Sequence, residues 1–244
     1  MPTSATQSLR EMESSWQACR DLEPMLDALK EASPRKLRLF AVACCRRIEH
    51  LLTDPVSSDY LDIAEAYADG RVSDRILAQA RFDSRNSTRH EDEAQNAVTN
   101  ATSASAWGAA VATAEFAARA AGWASATLPV GEFPNHSELW RIAQTNVDLV
   151  IRGETSAQSD LVREIFGNPF RALPLRPEPI AVLAQEIYAG RWDLMPVLGE
   201  WLQENGCWDI GEHCLDPGMH HYKGCWLVDW VLGKHCDVRA TPFL

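Results

Sequence analysis

Cysteine and histidine side chains are concentrated near the C-terminal end of the sequence. Residues 207–236 contain four of the seven cysteines and four of the seven histidines. Thiolate sulfur and neutral imidazole are the ligands that zinc prefers in proteins. A cysteine activated by a neighbouring histidine is also the nucleophile of many thiol hydrolases. The segment therefore has the residue types for a metal site or for a nucleophilic site.

A zinc site could draw its ligands from six side chains of this segment: Cys207, His213, Cys214, His220, His221 and Cys225. The turn residues Pro217, Gly218 and Gly224 allow the intervening chain to fold back on itself. However, the sequence contains no C-x-x-C or H-x-x-x-H pair, which would supply two ligands from one turn. The spacing therefore matches no named zinc motif.

Packing is the competing interpretation of the same residues. Free cysteine is among the most frequently buried residue types, and Trp208, Trp226 and Trp230 lie in the same segment. On this interpretation the cysteines fill space between the indole rings, and the histidines bond loop carbonyls. We expect this packing, and therefore no bound cofactor, with zinc as the alternative.

A thiol hydrolase could be built on Cys225, with His213 or His221 as the base and Asp229 as the acid. Cys225 follows a glycine at the predicted start of a helix, where the helix dipole lowers a thiol pKa. Phosphate-binding glycine loops, dinucleotide fingerprints and the H-E-x-x-H motif are absent from the sequence. ATP-dependent, NAD-dependent and common metalloprotease activities are therefore disfavoured.

Composition narrows the class of protein further. A net charge of −11 disfavours nucleic acid as a partner, because phosphate binding needs clustered lysine and arginine. No apolar run is long enough for a membrane span, and the N-terminal residues lack the apolar core of a signal peptide. The cysteine count is odd, and Cys44 and Cys45 are adjacent in a helical pattern, which favours reduced thiols. We expect an unexported, cytoplasmic protein.

The strongest helical pattern covers residues 34–52. Ser33 is at the N-cap and Pro34 is at the first helical position. Six apolar residues fall on one side at helical spacing: Leu37, Phe40, Ala41, Cys44, Ile48 and Leu51. Five basic residues fall on the other side: Arg35, Lys36, Arg38, Arg46 and Arg47. The pattern predicts a buried apolar face and a solvated basic face.

The remaining patterns also predict helices. The alanine-rich segment 97–126 is the predicted central helix, and two further helices are predicted on either side of Gly153. Prolines crowd residues 167–179, and a helical hairpin with a turn at Gly190 follows. We therefore predict an all-α fold with a helical bundle at 10–166, a proline-rich strap at 167–179 and a smaller C-terminal helical unit at 180–236 packed on the bundle.

Four segments carry a resemblance to a known family: RKLRLFAVACCRRI, AEAYADG, LVREIFGNPFR and HYKGCWLVDWVLGK. Together they resemble an uncharacterised family of paralogous proteins of planctomycete-type bacteria, over about two thirds of the chain. The resemblance implies no reaction, cofactor or catalytic residue. His235 and Cys236 depart from the family pattern, which weakens any role for these two residues.

The sequence as a whole favours an interaction function. Its recurring features are helix caps, helical periodicity and aromatic packing, and no complete catalytic motif accompanies them. We therefore expect a non-catalytic intracellular interaction or scaffold protein with a protein partner. The alternative is a Cys/His-dependent enzyme or a zinc-binding module that uses the C-terminal cysteines and histidines. The sequence leaves the oligomeric state open.

Overall fold

The computed structural model describes residues 4–87, 92–126, 136–171, 173 and 180–234. Twelve α-helices lie in this part of the chain: α1 Ser4–Ala18, α2 Leu22–Ala28, α3 Pro34–Arg47, α4 Ser57–Ala68, α5 Asp74–Ser87, α6 Glu93–Ala101, α7 Ala106–Ala124, α8 His136–Phe166, α9 Ala181–Tyr188, α10 Met195–Glu204, α11 Trp208–Leu215 and α12 Trp226–Val231. Short 3-10 turns occur at Glu49–Leu51 and Trp192–Leu194. The described residues contain no strand, and the predicted all-α class is confirmed.

Several features discussed above lie outside these ranges. They are His235, Cys236 and the prolines of the predicted strap at positions 174, 177 and 179. Within the described ranges, no helix combines the length and the apolar character that a membrane crossing requires.

Helix α3 is buried on nearly all sides, so the predicted solvated basic face is wrong. It packs against α4, α6, α7 and α8, and Leu39, Val42 and Cys45 are buried together with the predicted apolar stripe. Arg38 lies over the ring of Tyr67 and donates to main-chain carbonyls at the end of α6. A basic side chain in the interior is acceptable here because its donors find acceptors.

The alanine-rich segment forms two helices instead of one. Ser105 caps α7, and its Oγ accepts a hydrogen bond from the amide of Gly108 at 3.0 Å. Helix α7 then packs against α3, α6 and α8 along a face of small residues. At Gly122 an added Cβ would lie 2.5 Å from Ile151, so α7 and α8 approach more closely than a larger residue would allow.

Helix α8 is continuous, although a break at Gly153 was predicted. Gly153 has no heavy atom within 4 Å of the position of a Cβ, so it lies in open space on the helix surface. An exposed glycine costs a helix only about 1 kcal/mol relative to alanine, and packing on both sides of it outweighs that cost. The helix ends at Phe166, and the next residue, Gly167, has a φ of 70°, which glycine readily adopts.

Buried apolar side chains form two clusters, one from the first eight helices and one from the last four. The first runs from Trp16 to Phe166 and fills the space between the first eight helices. The second runs from Ile180 to Val231 and is built by α9, α10, α11 and α12. Helices α10 and α11 cross at Gly199 and Gly211, where an added Cβ would lie within 3 Å of the opposite backbone. The C-terminal helices thus pack tightly among themselves and meet the bundle along α3 and α8.

Candidate functional site

Four side chains converge where the C-terminal helices meet the bundle: Glu164, His213, His221 and Cys225. We call them the Glu/His/His/Cys cluster. Glu164 lies in the last turn of α8, and His213 lies on α11. His221 follows the turn at residues 216–218, and Cys225 occupies the N-cap position of α12. The cluster therefore joins one bundle helix to three separate parts of the C-terminal unit.

The distances within the cluster are short. His213 Nε2 lies 3.0 Å from Glu164 Oε2, and His221 Nδ1 lies 3.1 Å from Glu164 Oε1. His213 Nε2 also lies 3.4 Å from Cys225 Sγ. One potential ligand atom from each of the four residues lies within 4.8 Å of all the others. The geometry thus brings sulfur, nitrogen and oxygen donors to a single point.

The environment of the cluster controls its ionisation. Burial alone would raise the pKa of Glu164, but the imidazoles of His213 and His221 beside the carboxylate lower it to about 2. Burial raises the pKa of the Cys225 thiol well above its usual value, and the charge of Glu164 raises it further. Without an added cation, Cys225 is therefore a neutral thiol at pH 7 and a poor nucleophile.

Asp229 does not join the histidines, although a thiol hydrolase would need an acid beside them. Its carboxylate lies 2.6 Å from Lys36 Nζ, and Arg35 donates to both of its oxygens at 2.6 and 3.0 Å. Both Lys36 and Asp229 are 0% exposed. Asp229 is therefore committed to a buried ion pair with α3, and the predicted catalytic triad is not assembled.

The ion pair belongs to a larger group of side chains: Arg35, Lys36, Asp69, Tyr188 and Asp229. We call this group the charged network. Arg35 Nε donates to Asp69 at 2.9 Å, and the hydroxyl of Tyr188 donates to the same carboxylate at 2.7 Å. Helices α3, α4, α9 and α12 are thereby tied together. The network fixes α12, and with it the position of Cys225.

The other residues proposed as zinc ligands remain outside the Glu/His/His/Cys cluster. Cys214 is buried on α11, and burial raises the pKa of its thiol to about 12. Cys207 is partly exposed before α11, and His220 is exposed in the loop. Of the six zinc candidates, the structure brings together His213, His221 and Cys225.

Glu164 is the member of the cluster that sequence reasoning missed. It lies far upstream, in the segment LVREIF, where no cysteine or histidine draws attention to it. One signal was available, because Glu164 lies on the apolar side of the helix, one turn after Leu161 and next to Ile165. A carboxylate on a buried stripe requires a partner.

A cleft of about 570 Å³ borders the cluster. Glu164 and His213 contribute to its wall, together with Cys207, Trp208 and Met219. Trp208 is 62% exposed. The cleft leads from an exposed indole ring to the buried carboxylate.

Comparison with known proteins adds no functional assignment. No protein-family model, no curated protein and no solved structure matches the chain. The resemblance to a planctomycete-type family stays a prediction.

Proposed function

We propose that the protein is a non-catalytic interaction protein whose C-terminal unit binds a basic, amphipathic segment of a protein partner. The observation that carries this proposal is the outer surface of α10 and α11. It combines exposed apolar side chains with exposed carboxylates: Val197, Glu200, Glu204, Trp208 and Glu212. We call it the acidic face.

Helical spacing places these residues on the side away from the core. Val197, Glu200 and Glu204 recur at three- and four-residue intervals along α10, while Leu198 and Leu202 point inward. Trp208 and Glu212 are one turn apart on α11, which follows α10 through the corner at Gly206. Apolar residues that face solvent among carboxylates are typical of a surface that binds another protein.

The chemistry of the acidic face determines the partner that we propose. Three exposed carboxylates on the same two helices as an exposed indole attract lysine and arginine, and they repel nucleic acid and other acidic surfaces. A helix with one apolar and one basic side could place its apolar residues on Trp208 and Val197 and its cations beside the glutamates. We therefore propose a basic helical segment as the occupant.

The burial of the candidate catalytic groups supports a non-catalytic function. The Cys225 thiol is fully buried and protonated, and Asp229 is held by Lys36 and Arg35. Burial also raises the pKa of the Cys44 and Cys45 thiols. The six cysteines in the described ranges are all free thiols, which fits the cytoplasmic location that we propose.

A binding experiment with a synthetic helical peptide tests the proposal. The peptide carries leucine on one side of the helix and lysine on the other. Fluorescence anisotropy should show binding that weakens as salt increases, because the glutamates contribute electrostatically. Trp208→Ala should weaken binding at least about tenfold, as removal of a buried aromatic anchor does. Glu204→Lys should weaken it and reduce its salt dependence.

Phe82→Ala is the matched control, because Phe82 is also 62% exposed but lies on α5. It should leave binding unchanged. Equal losses in the Phe82 and Trp208 variants would mean that the peptide binds any exposed ring. Binding that is indifferent to both variants and to salt would rule out the acidic face.

A further inference from the structure

We propose that the Glu/His/His/Cys cluster binds one zinc ion, and that this ion fastens the C-terminal helices to α8. The proposal does not depend on the interaction function, because none of the four cluster residues belongs to the acidic face. It rests on the donor types, their distances, an unsatisfied buried oxygen and the balance of charge.

The donor types fit zinc. Thiolate sulfur, imidazole nitrogen and carboxylate oxygen are the three ligand classes found in zinc sites, which are most often four-coordinate and tetrahedral. Calcium and magnesium require six or more oxygen ligands, or retain several waters, and neither selects a thiolate. A mixed set of one sulfur, two nitrogens and one oxygen therefore points to zinc.

The distances are close to those of a tetrahedral site. Zinc binds nitrogen at about 2.0–2.1 Å and sulfur at about 2.3 Å, so its ligand atoms lie roughly 3.3–3.7 Å apart. His213 Nε2 and Cys225 Sγ are already 3.4 Å apart. The widest pair in the cluster is within 4.8 Å, so the four side chains must draw in by about 1 Å.

The cluster also leaves a polar atom unsatisfied. Glu164 is 2% exposed, and its buried Oε2 has no hydrogen bond of good geometry, although His213 Nε2 lies 3.0 Å away. His213 Nε2 is near both Glu164 Oε2 and Cys225 Sγ, but one ring nitrogen carries at most one proton. A buried carboxylate oxygen without a partner is costly, and a cation at the centre of the cluster removes that cost.

Charge balance favours a divalent cation. A carboxylate from Glu164 and a thiolate from Cys225 carry two negative charges, and two neutral imidazoles add none. One Zn²⁺ neutralises the site, and binding releases the thiol proton to solvent. Because four protein ligands complete the zinc coordination, the site has no open position for a reacting water, and its function is structural.

The position of the ligands defines what the ion holds. Glu164 belongs to the bundle, and the other three ligands belong to α11, the following loop and the start of α12. An ion at this point closes the loop between α11 and α12 onto α8. Zinc binding therefore contributes directly to the folding free energy of the C-terminal unit.

Elemental analysis of the whole chain, expressed with added zinc and purified without chelator, is the first test. We expect about one zinc per chain by this assignment. Glu164→Gln keeps the shape of the side chain but removes its charge, and Cys225→Ala removes the sulfur. Each should weaken zinc binding by more than the roughly 10–100-fold that loss of an outer-shell partner costs, as measured by competition with a chromophoric chelator.

His220→Ala is the matched control. His220 is adjacent to His221 in the chain, but it is exposed and remains outside the cluster. This variant should retain one zinc with unchanged affinity. Circular dichroism of each variant separates loss of a ligand from loss of the fold.

Cobalt substitution gives a measurement on the unmodified protein. Co²⁺ in this site should show the strong visible bands of tetrahedral coordination and a thiolate charge-transfer band. The charge-transfer band should be absent from Cys225→Ala and present in His220→Ala. Wild-type protein that binds neither zinc nor cobalt, or full zinc binding by Glu164→Gln and Cys225→Ala, would overturn the proposal.

Discussion

Two groups of buried polar side chains join the C-terminal helices to the bundle, and they differ in how completely their atoms are satisfied. In the charged network, Lys36 Nζ reaches Asp229 and the main-chain carbonyls of Ile165 and Gly224, so each ammonium proton has an acceptor. In the Glu/His/His/Cys cluster, Glu164 Oε2 has no hydrogen bond of good geometry, although His213 Nε2 lies 3.0 Å away. The network is complete with protein atoms alone, whereas the cluster would be completed by the zinc ion that we propose.

This difference separates a structural ion pair from a binding site. A buried ion pair is tolerated when hydrogen bonds satisfy its remaining donors and acceptors, and the charged network meets that condition. A group of potential ligands with an unsatisfied oxygen is stabilised by whatever supplies the missing charge. The two groups should therefore respond in opposite ways to mutation and to metal.

The largest expected effect is that of Lys36→Met. The change removes one of the two cations that face Asp229 and leaves the carboxylate buried with Arg35 alone. Loss of one partner from a buried ion pair costs about 3–5 kcal/mol. Urea denaturation should show a lower midpoint with an unchanged slope, because the denatured state stays the same.

The double variant Lys36→Met/Asp229→Leu sharpens this test. Removal of both charges should recover much of the stability, because no buried charge is left uncompensated at this point. Arg35 retains Asp69 as a partner at 2.9 Å. A double variant less stable than the single variant would show that Asp229 has stabilising partners outside the charged network.

Metal removal should have the next largest effect, and only on the Glu/His/His/Cys cluster. At a free zinc concentration of 100 times Kd, binding adds about 2.7 kcal/mol of stability. In a chain of this size, each kcal/mol of lost stability lowers the Tm by roughly 2–4 °C. Removal of the metal by a chelator should therefore lower the Tm in proportion to the stability that zinc binding adds. Differential scanning calorimetry should show the fall in wild-type protein.

The same chelator should leave the Tm of Glu164→Gln unchanged. The Lys36→Met variant should show the full wild-type fall, because its zinc ligands are intact. A chelator effect of equal size in Glu164→Gln would place the metal elsewhere in the chain.

A third expected effect is a change in thiol reactivity. Native protein with zinc should protect Cys44, Cys45, Cys214 and Cys225 from iodoacetamide, because all four thiols are buried. Chelation should lower the urea concentration at which Cys225 becomes alkylated, because the C-terminal helices then lose the ion that holds them to α8, while Cys44 and Cys45 stay protected in the bundle. Peptide mass spectrometry distinguishes these sites, and an unchanged urea dependence of Cys225 alkylation would contradict an ion that fastens the C-terminal helices.

Features that depend on local sequence signals were predicted correctly, and features that depend on packing between helices were not. Helix α3 was correctly placed at Pro34 because its cap and its periodicity are local signals. The burial of Lys36 was missed because helical phase gives the side on which a residue lies, whereas burial depends on the neighbouring helices. The break predicted at Gly153 was wrong for the same reason. The packing of α8 outweighs the weak preference of glycine against a helix interior.

The candidate site was only partly visible for a related reason. His213, His221 and Cys225 lie close in the sequence, so their residue types pointed to a cluster. Glu164 joins them through the packing of α8 against the C-terminal helices, which no spacing rule encodes. Asp229, four residues after Cys225, was assigned to the histidines by proximity in sequence and is bound instead by α3.

The smallest expected effect comes from a more exposed ion pair between the same two parts of the molecule. Lys223 Nζ lies 2.8 Å from Glu65 Oε2, and the Lys223 side chain is 28% exposed. Water and salt screen such a pair, so Lys223→Met should cost no more than about 1 kcal/mol in urea denaturation at low salt. Added salt should shrink that cost while leaving the Lys36→Met loss largely intact, because the buried pair is shielded from solvent ions. Equal salt sensitivity of the two variants would show that solvent reaches Asp229. The charged network would then behave like an ordinary ion pair at the surface.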